Sequence, residues 1–186
     1  MSERWRLWAM LLLLACVASS VSAKGIDFQE VTITLGEDNR IFLDAQLAYQ
    51  LNETTSEALE NGVPLTFETH IQMRAADAWI WAGDVAEFSL RSVLRYRPLS
   101  GLYEVRRLGQ EDKQVFATRA SALRYMGRIQ NLALIDRARL DPSREYLVRL
   151  RASLDIAALP LPMRPVAYVS SEWDVEAEPW EWLLRP

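Results

Sequence analysis

The 186-residue chain has one cysteine, one histidine and two lysines, and its seven glycines stand apart from one another. Each shortage removes a class of chemistry. With Cys16 as the lone thiol, intramolecular disulfides, thiolate metal sites and Cys/His nucleophilic pairs drop out together. One histidine cannot make a multi-histidine zinc site either. A Ser/His/Asp triad would have to use His70, which sits in an alternating run on the same side as Glu68 and Gln72. That is the polar side of a strand, whereas a general base works in a cleft with an orienting partner. No glycine-rich phosphate cradle of the dinucleotide or P-loop type is present. The inventory therefore gives no catalytic residue, no cofactor and no metal, and points away from an enzyme. Carboxylates are the exception, because an acidic chain always offers pairs and only their geometry identifies a glycosidase. The Glu172, Asp174, Glu176, Glu178 ladder reads as a solvated edge: alternate residues on a strand lie about 6.6 to 6.8 Å apart at Cα, too spread for a calcium cage.

Long apolar runs are also missing. The longest, Leu7 to Ala18, has twelve residues, against the roughly 20 that a membrane-spanning helix needs. Arg4 and Arg6 precede it and Ser19-Ser20-Val21-Ser22-Ala23 follows. This is the pattern of a secretory signal peptide over residues 1–23, cleaved before Lys24, with Val21 and Ala23 as the small residues at the site. The expected location is the periplasm, after export across the inner membrane. Leu13-Leu14-Ala15-Cys16 gives the alternative, a lipoprotein anchored through an acylated Cys16 at a bilayer surface. Cleavage before Lys24 would leave no cysteine, hence no disulfide-linked partner, and a domain that depends on its core alone.

Residues 24–186 are the length of one domain. Half of the whole chain is apolar and a quarter charged, which excludes disorder. Cleavage would take 21 basic and 25 acidic residues to 19 and 24, a net charge of −5. That balance argues against a general nucleic-acid partner.

Period-two alternation dominates these residues, as in half-buried strands. Val31, Ile33 and Leu35 form one run; Gly36-Glu37-Asp38-Asn39 supplies a turn; Ile41, Leu43, Ala45, Leu47, Tyr49 and Leu51 form the next. Thr54–Asn61 predicts a short helix, with Thr54 or Thr55 as N-cap and Gly62 past its end. Leu65, Phe67, Ile71 and Met73 alternate with Glu68, His70, Gln72 and Arg74. Strands follow at Phe88–Tyr96, around Tyr103 and Val105, and at Gln114–Phe116. The main helix is expected over about residues 119–129, capped by Thr118. Tyr146–Leu154 is another strand, and the three prolines of Leu159–Pro165 rule out a central strand there. A last strand is expected around Trp173 and Val175. The sum is a mainly-β fold: an antiparallel β-sandwich of about seven to eight short strands, with one main α-helix and one short helix.

Three surface features remain. Arg91, Arg95, Arg97, Arg106, Arg149 and Arg151 fall on outward strand positions. If their strands are neighbours they form a guanidinium-rich sheet face suited to phosphate or carboxylate groups; the competing reading pairs them with local Glu and Asp. Trp79 and Trp81 stand in a loop, where aromatics either anchor at a membrane or partner, or fold back over the sandwich end. Trp173, Trp180 and Trp182, with Leu183 and Leu184, are expected to dock on the core.

The string Glu57-Ala58-Leu59-Glu60-Asn61-Gly62-Val63-Pro64-Leu65-Thr66-Phe67 resembles a proteobacterial family known only as domain-of-unknown-function family 4390. So do Gly127-Arg128-Ile129, Leu134-Ile135-Asp136, Leu154-Asp155-Ile156 with Leu159 to Pro165, and Ser170-Ser171-Glu172-Trp173. The resemblance implies an exported protein with no assigned activity or cofactor, often encoded near a membrane-bound sensor histidine kinase of the nitrogen-regulation type. It supplies no functional residues. The expected function is a non-catalytic periplasmic binding or accessory module acting with a membrane protein, such a kinase among them, or at the membrane surface. A carboxylate-based envelope hydrolase and a carrier of a lipid or other apolar ligand are the alternatives.

Overall fold

Alternation is strictest between Leu65 and Ala75, and this segment becomes the strand on which the larger sheet is built. The computed structural model describes residues 25–79, 83–110 and 113–186. Among them β3 (Leu65–Ala75) lies between β4 (Ala86–Arg97) and β8 (Tyr146–Leu154), antiparallel to both. Its inward side chains Leu65, Phe67, Ile71 and Met73 are all essentially inaccessible, each no more than 1% exposed. Burying one such side chain contributes about 1.5 to 3 kcal/mol, so this strand anchors the core. β5 (Leu102–Arg107) and β6 (Lys113–Phe116) extend the sheet beyond β4, and β9 (Trp180–Leu184) extends it beyond β8. The order is β6-β5-β4-β3-β8-β9.

The smaller sheet has the order β1-β2-β7. β1 (Ile26–Leu35) and β2 (Arg40–Tyr49) form the expected hairpin, closed by the Gly36 N–H donating to the Arg40 carbonyl at 2.8 Å. Asn39 takes the left-handed turn conformation, with φ of 62°. Ile41, Leu43, Ala45 and Leu47 point into the space between the sheets. The fold is thus mainly β, an antiparallel sandwich, with nine strands among the described residues.

Four expectations change at the level of local structure. The short helix α1 (Glu53–Glu60) is capped two or three residues earlier than expected, by Asn52, whose side-chain oxygen accepts the Thr55 N–H at 2.9 Å. The main helix α2 (Arg119–Met126) has its expected Thr118 cap, but it ends at Met126 and not near residue 129. Arg128–Asp136 then forms β7, a strand missing from the sequence reading. Register irregularities opposite Ile41–Phe42 and Leu43–Ala45, and Asn131 at φ of 50°, break its alternation into Ile129, Leu132, Leu134, Ile135. Finally, Ser171–Trp173 is a 3-10 turn and the last strand lies further on, at β9. Trp173, Val175 and Ala177 do alternate inward, 4 to 6% exposed, but on irregular backbone beside β8.

Gly127 explains where α2 must stop. Its carbonyl accepts the Leu47 N–H at 2.8 Å, and a Cβ at this position would lie 2.0 Å from the Leu47 carbonyl oxygen. Only glycine lets the helix end pass this close to β2. Gly127→Ala should destabilise the protein by about 2 to 3 kcal/mol through forced backbone displacement. Equilibrium urea unfolding would show this as a lower midpoint at unchanged slope; an unchanged midpoint would mean the contact is relaxed at no cost.

Candidate functional site: the outer face of the large sheet

In an antiparallel sheet, residues in register share a face, so the outer face can be assembled strand by strand. Glu68, His70 and Gln72 on β3 lie opposite Arg91, Ser89 and Glu87 on β4 and opposite Ser153, Arg151 and Arg149 on β8. Val93 and Arg95 continue that face to Arg106 and Glu104 on β5, and these lead on to Lys113 and Val115 on β6. Arg91, Arg95, Arg106, Arg149 and Arg151 therefore do occupy one face. They do not form one guanidinium field, because β3, presenting Glu68, His70 and Gln72 on this face, divides them.

On the β3–β8 side the charges are largely matched. Arg149 Nε donates to Glu181 Oε1 at 2.6 Å, and His70 Nε2 lies 2.7 Å from Glu87 Oε1. Arg91 is bonded to Asp155 and sits 3.9 Å from Glu68. Arg151 makes no ion pair among the described residues. Here Arg91 and Arg149 are paired with carboxylates from distant segments and Arg151 stays in solvent.

The β4–β5–β6 corner is different. Arg95, Arg97, Arg106 and Lys113 are all exposed, and among the described residues of this corner they surround a single carboxylate, Glu104. Glu104 Oε2 lies 2.9 Å from Arg97 Nη2 and 4.0 Å from Lys113 Nζ. Partial burial by itself would raise the Glu104 pKa; the Arg97 hydrogen bond and the charges of Arg97, Lys113 and Arg95 outweigh it and hold the carboxyl below its ordinary range. Exposed pairs of this kind add about 0 to 1 kcal/mol each to stability. Their larger effect is a local positive potential. Lys113 and Glu104 were not among the residues singled out in the sequence, although the alternation of β5 and β6 puts both on this face.

Trp79 is 73% exposed, in the turn after β3, near the Asp77–Arg144 ion pair of 2.6 Å. Trp81 lies outside the described residues, as do residues 1–24 with Cys16 and the expected signal peptide. The late tryptophans divide: Trp173 is buried, Trp180 half-buried, and Trp182 is 54% exposed while stacked on Trp180.

Residues 23–183 match the family model described as domain of unknown function (DUF4390). The chain belongs to that family. No curated protein and no solved structure matches it. Two of the strings that carry the family resemblance now have structural reasons. Asp155 of Leu154-Asp155-Ile156 holds Arg91 and caps the following turn through the Ala158 N–H at 3.2 Å. Gly127 opens the passage between α2 and β7.

The concave regions comprise a small space between the sheets and open surface grooves. Between the sheets, Tyr49, Thr69, Ser92 and Arg107 line a space of about 140 Å³. That is the size of a cavity for benzene and below the roughly 300 to 1,000 Å³ of ligand pockets. Arg107 closes it, donating to the Tyr125 and Arg128 carbonyls at 3.2 and 2.6 Å with its guanidinium 4.9 Å from the Tyr125 ring centre. Burial there pushes the Tyr49 phenol up to about 12, against a hydrogen bond from Thr69 and the Arg107 charge. A surface groove of 560 Å³ between β2 and α2 is lined by Gln29, Gln46, Gln50, Arg119 and Arg124 with apolar neighbours, and by no carboxylate among the described residues. Glu30 and Asp44 share an open hollow on the small sheet, where Asp44 accepts the Asn131 N–H at 3.0 Å.

The Glu104 geometry has a pH signature. A carboxyl whose folded pKa lies below its unfolded value of 4.5 stabilises the fold fully above that value, and the contribution is lost as pH falls through the folded pKa. The stability gap between wild type and Glu104→Gln should be full near neutral pH and shrink in acid. Urea titrations at both pH values measure it; a gap independent of pH would place the Glu104 carboxylate outside the cationic cluster.

Proposed function

We propose that this chain is an exported cell-envelope protein that works as a non-catalytic binding or accessory module, docking the Arg95–Arg97–Arg106–Lys113 corner on an acidic surface of a membrane protein. The observation that carries this reading is the imbalance at that corner among the described residues, four exposed cations around one carboxylate. The periodic exposure of long cationic side chains on a flat sheet suits a protein surface better than a small ligand. Such a patch raises association rates and imposes charge specificity more than it deepens affinity. Its reach is about one Debye length, roughly 8 Å at physiological salt. Export is supported by the Arg4/Arg6 start, the apolar Leu7–Ala18 run and the small-residue segment ending at Ala23. The family's association with genes for membrane-bound sensor kinases makes the periplasmic part of such a kinase a partner to test first.

Crosslinking pull-down from native envelope membranes, comparing wild type with the Arg95→Glu/Arg106→Glu double variant, tests it. The expected result is a membrane protein recovered with wild type, weakened by salt and lost in the variant, with both proteins giving the same melting curve. Recovery of nothing with crosslinker present, or equal recovery by the variant, would overturn the proposal.

A further inference from the structure

In a protein with a quarter of its residues charged, the sixteen residues from Ile156 to Ser171 carry one charge, Arg164. They join β8 to β9 through 3-10 turns at Ile156–Ala158 and Leu161–Met163, followed by the six-residue helix α3 (Arg164–Val169). One side of this segment is pinned to the core by Leu159 and Ala167, each 1% exposed. Arg164 is turned back along the segment, its Nε donating to the Leu159 carbonyl at 2.8 Å. The other side is apolar and open: Leu161 is 73% exposed, Val166 62%, Tyr168 63% and Val169 86%. Contiguous apolar surface of this kind marks a contact with something other than water.

The path of the chain indicates what that something is. Gly25, the first described residue, lies at the same end of the sandwich. Its carbonyl accepts the Gln50 N–H at 2.7 Å, and its Cα stands so close to Val175 that a Cβ would be 2.6 Å from the valine Cγ1. Val175 follows the Ser171–Trp173 turn, which packs against α3. Twenty-four residues precede Gly25, among them the twelve-residue apolar run and Cys16. An acylated Cys16, the alternative to cleavage before Lys24, would tether the chain to a membrane from the end that carries α3. Arg95 and Arg97 reach the same end, since Leu94 is in register with Leu65. Trp79 lies beyond the far end of β3, about 35 Å away for an eleven-residue strand.

We infer that the Leu161–Val169 segment is a membrane seat that lays Leu161, Val166, Tyr168 and Val169 into the boundary between lipid headgroups and acyl chains. No helix among the described residues is long and apolar enough to cross a membrane. A six-residue helix instead lies in the interface, its apolar side about 5 to 10 Å deep. Tyr168 suits that layer because it pairs an apolar ring with a polar tip. Glu172, Asp174 and Glu176 are exposed beside the segment, so insertion rests on apolar contact and not on anionic lipid. This separates it from docking through the cationic corner, on which it does not depend.

Co-flotation of the purified envelope protein with vesicles of phosphatidylcholine alone, in high salt, tests the seat. Wild type should float, and Val166→Ser/Val169→Ser should bind on the order of tenfold less, the loss expected when two apolar side chains leave the lipid. Trp79→Ser, at the opposite end, should float like wild type. Should the native protein carry an acyl tether that floats it regardless, hydrogen exchange supplies the readout. Vesicles should then protect the amides of Leu161–Val169, and the double variant should lose that protection. The inference is overturned by binding that needs anionic lipid and vanishes with salt, by a double variant that floats or is protected like wild type, or by an envelope photocrosslink from position 169 that reaches a protein and not lipid.

Discussion

Six strands face three, and the rest of the structure follows from that mismatch. Strands stand about 4.8 Å apart and facing sheets about 10 Å apart, so β1-β2-β7 can cover only the middle of the inner face of β6-β5-β4-β3-β8-β9. Both flanks need another cover. On one side α2 packs against β4, β5 and β6, with Phe116 and Tyr125 ring centres 5.2 Å apart. At the end from which β3 departs, α1 covers β4 and meets the Ser171–Trp173 turn, where Thr54 Oγ1 donates to Glu172 Oε2 at 2.6 Å. Along β8, Trp173, Val175 and Ala177 fill the remaining width before the chain returns as β9. The long β8–β9 connection exists because the sheet needs it as a lid.

What could be read from the sequence tracks how regular the local geometry is. β2, β3 and β8 keep one residue to each face throughout, so their inward sets Leu43-Ala45-Leu47, Leu65-Phe67-Ile71-Met73 and Val148-Leu150-Ala152 stand out as patterns. β7 does not, because its bulges and Asn131 change which residues face inward, and its first residues run on from a helix with the same apolar spacing. The end of α2 could not be read locally at all. It is decided by how closely Gly127 must approach Leu47, eighty positions earlier in the chain. The cap of α1 is ambiguous for a related reason: Asn52, Thr54 and Thr55 all make acceptable caps, and the choice of Asn52 goes with its second bond, to the Glu172 carbonyl.

The arginine face shows a different limit. Outward positions follow from alternation, and all of the arginines named from the sequence lie on the expected face. Which of them is neutralised depends on the neighbours across the sheet, and these come from distant segments: Asp155 for Arg91 and Glu181 for Arg149. β4 pairs with β5 at an edge where cations outnumber carboxylates, so the surplus collects in one corner. Strand order, which the chain's local pattern does not encode, therefore turned an evenly spaced set of arginines into one matched region and one unmatched one.

The two unsatisfied surfaces, one cationic and one apolar, meet the same end of the sandwich for a topological reason. β3 starts there, β4 and β8 finish there, and β1 begins there. Any segment that closes the sheet after β8 must emerge at that end, and so must the residues that precede β1. The core needs only the inner side of the closing segment, Leu159, Ala167 and Trp173. Its outer side is under no packing demand, so solvent alone would favour charge there, as on the rest of this surface. Four exposed apolar side chains and one inward-turned arginine run against that expectation, and a lid over the core does not account for them. The interfacial contact inferred for Leu161–Val169 does.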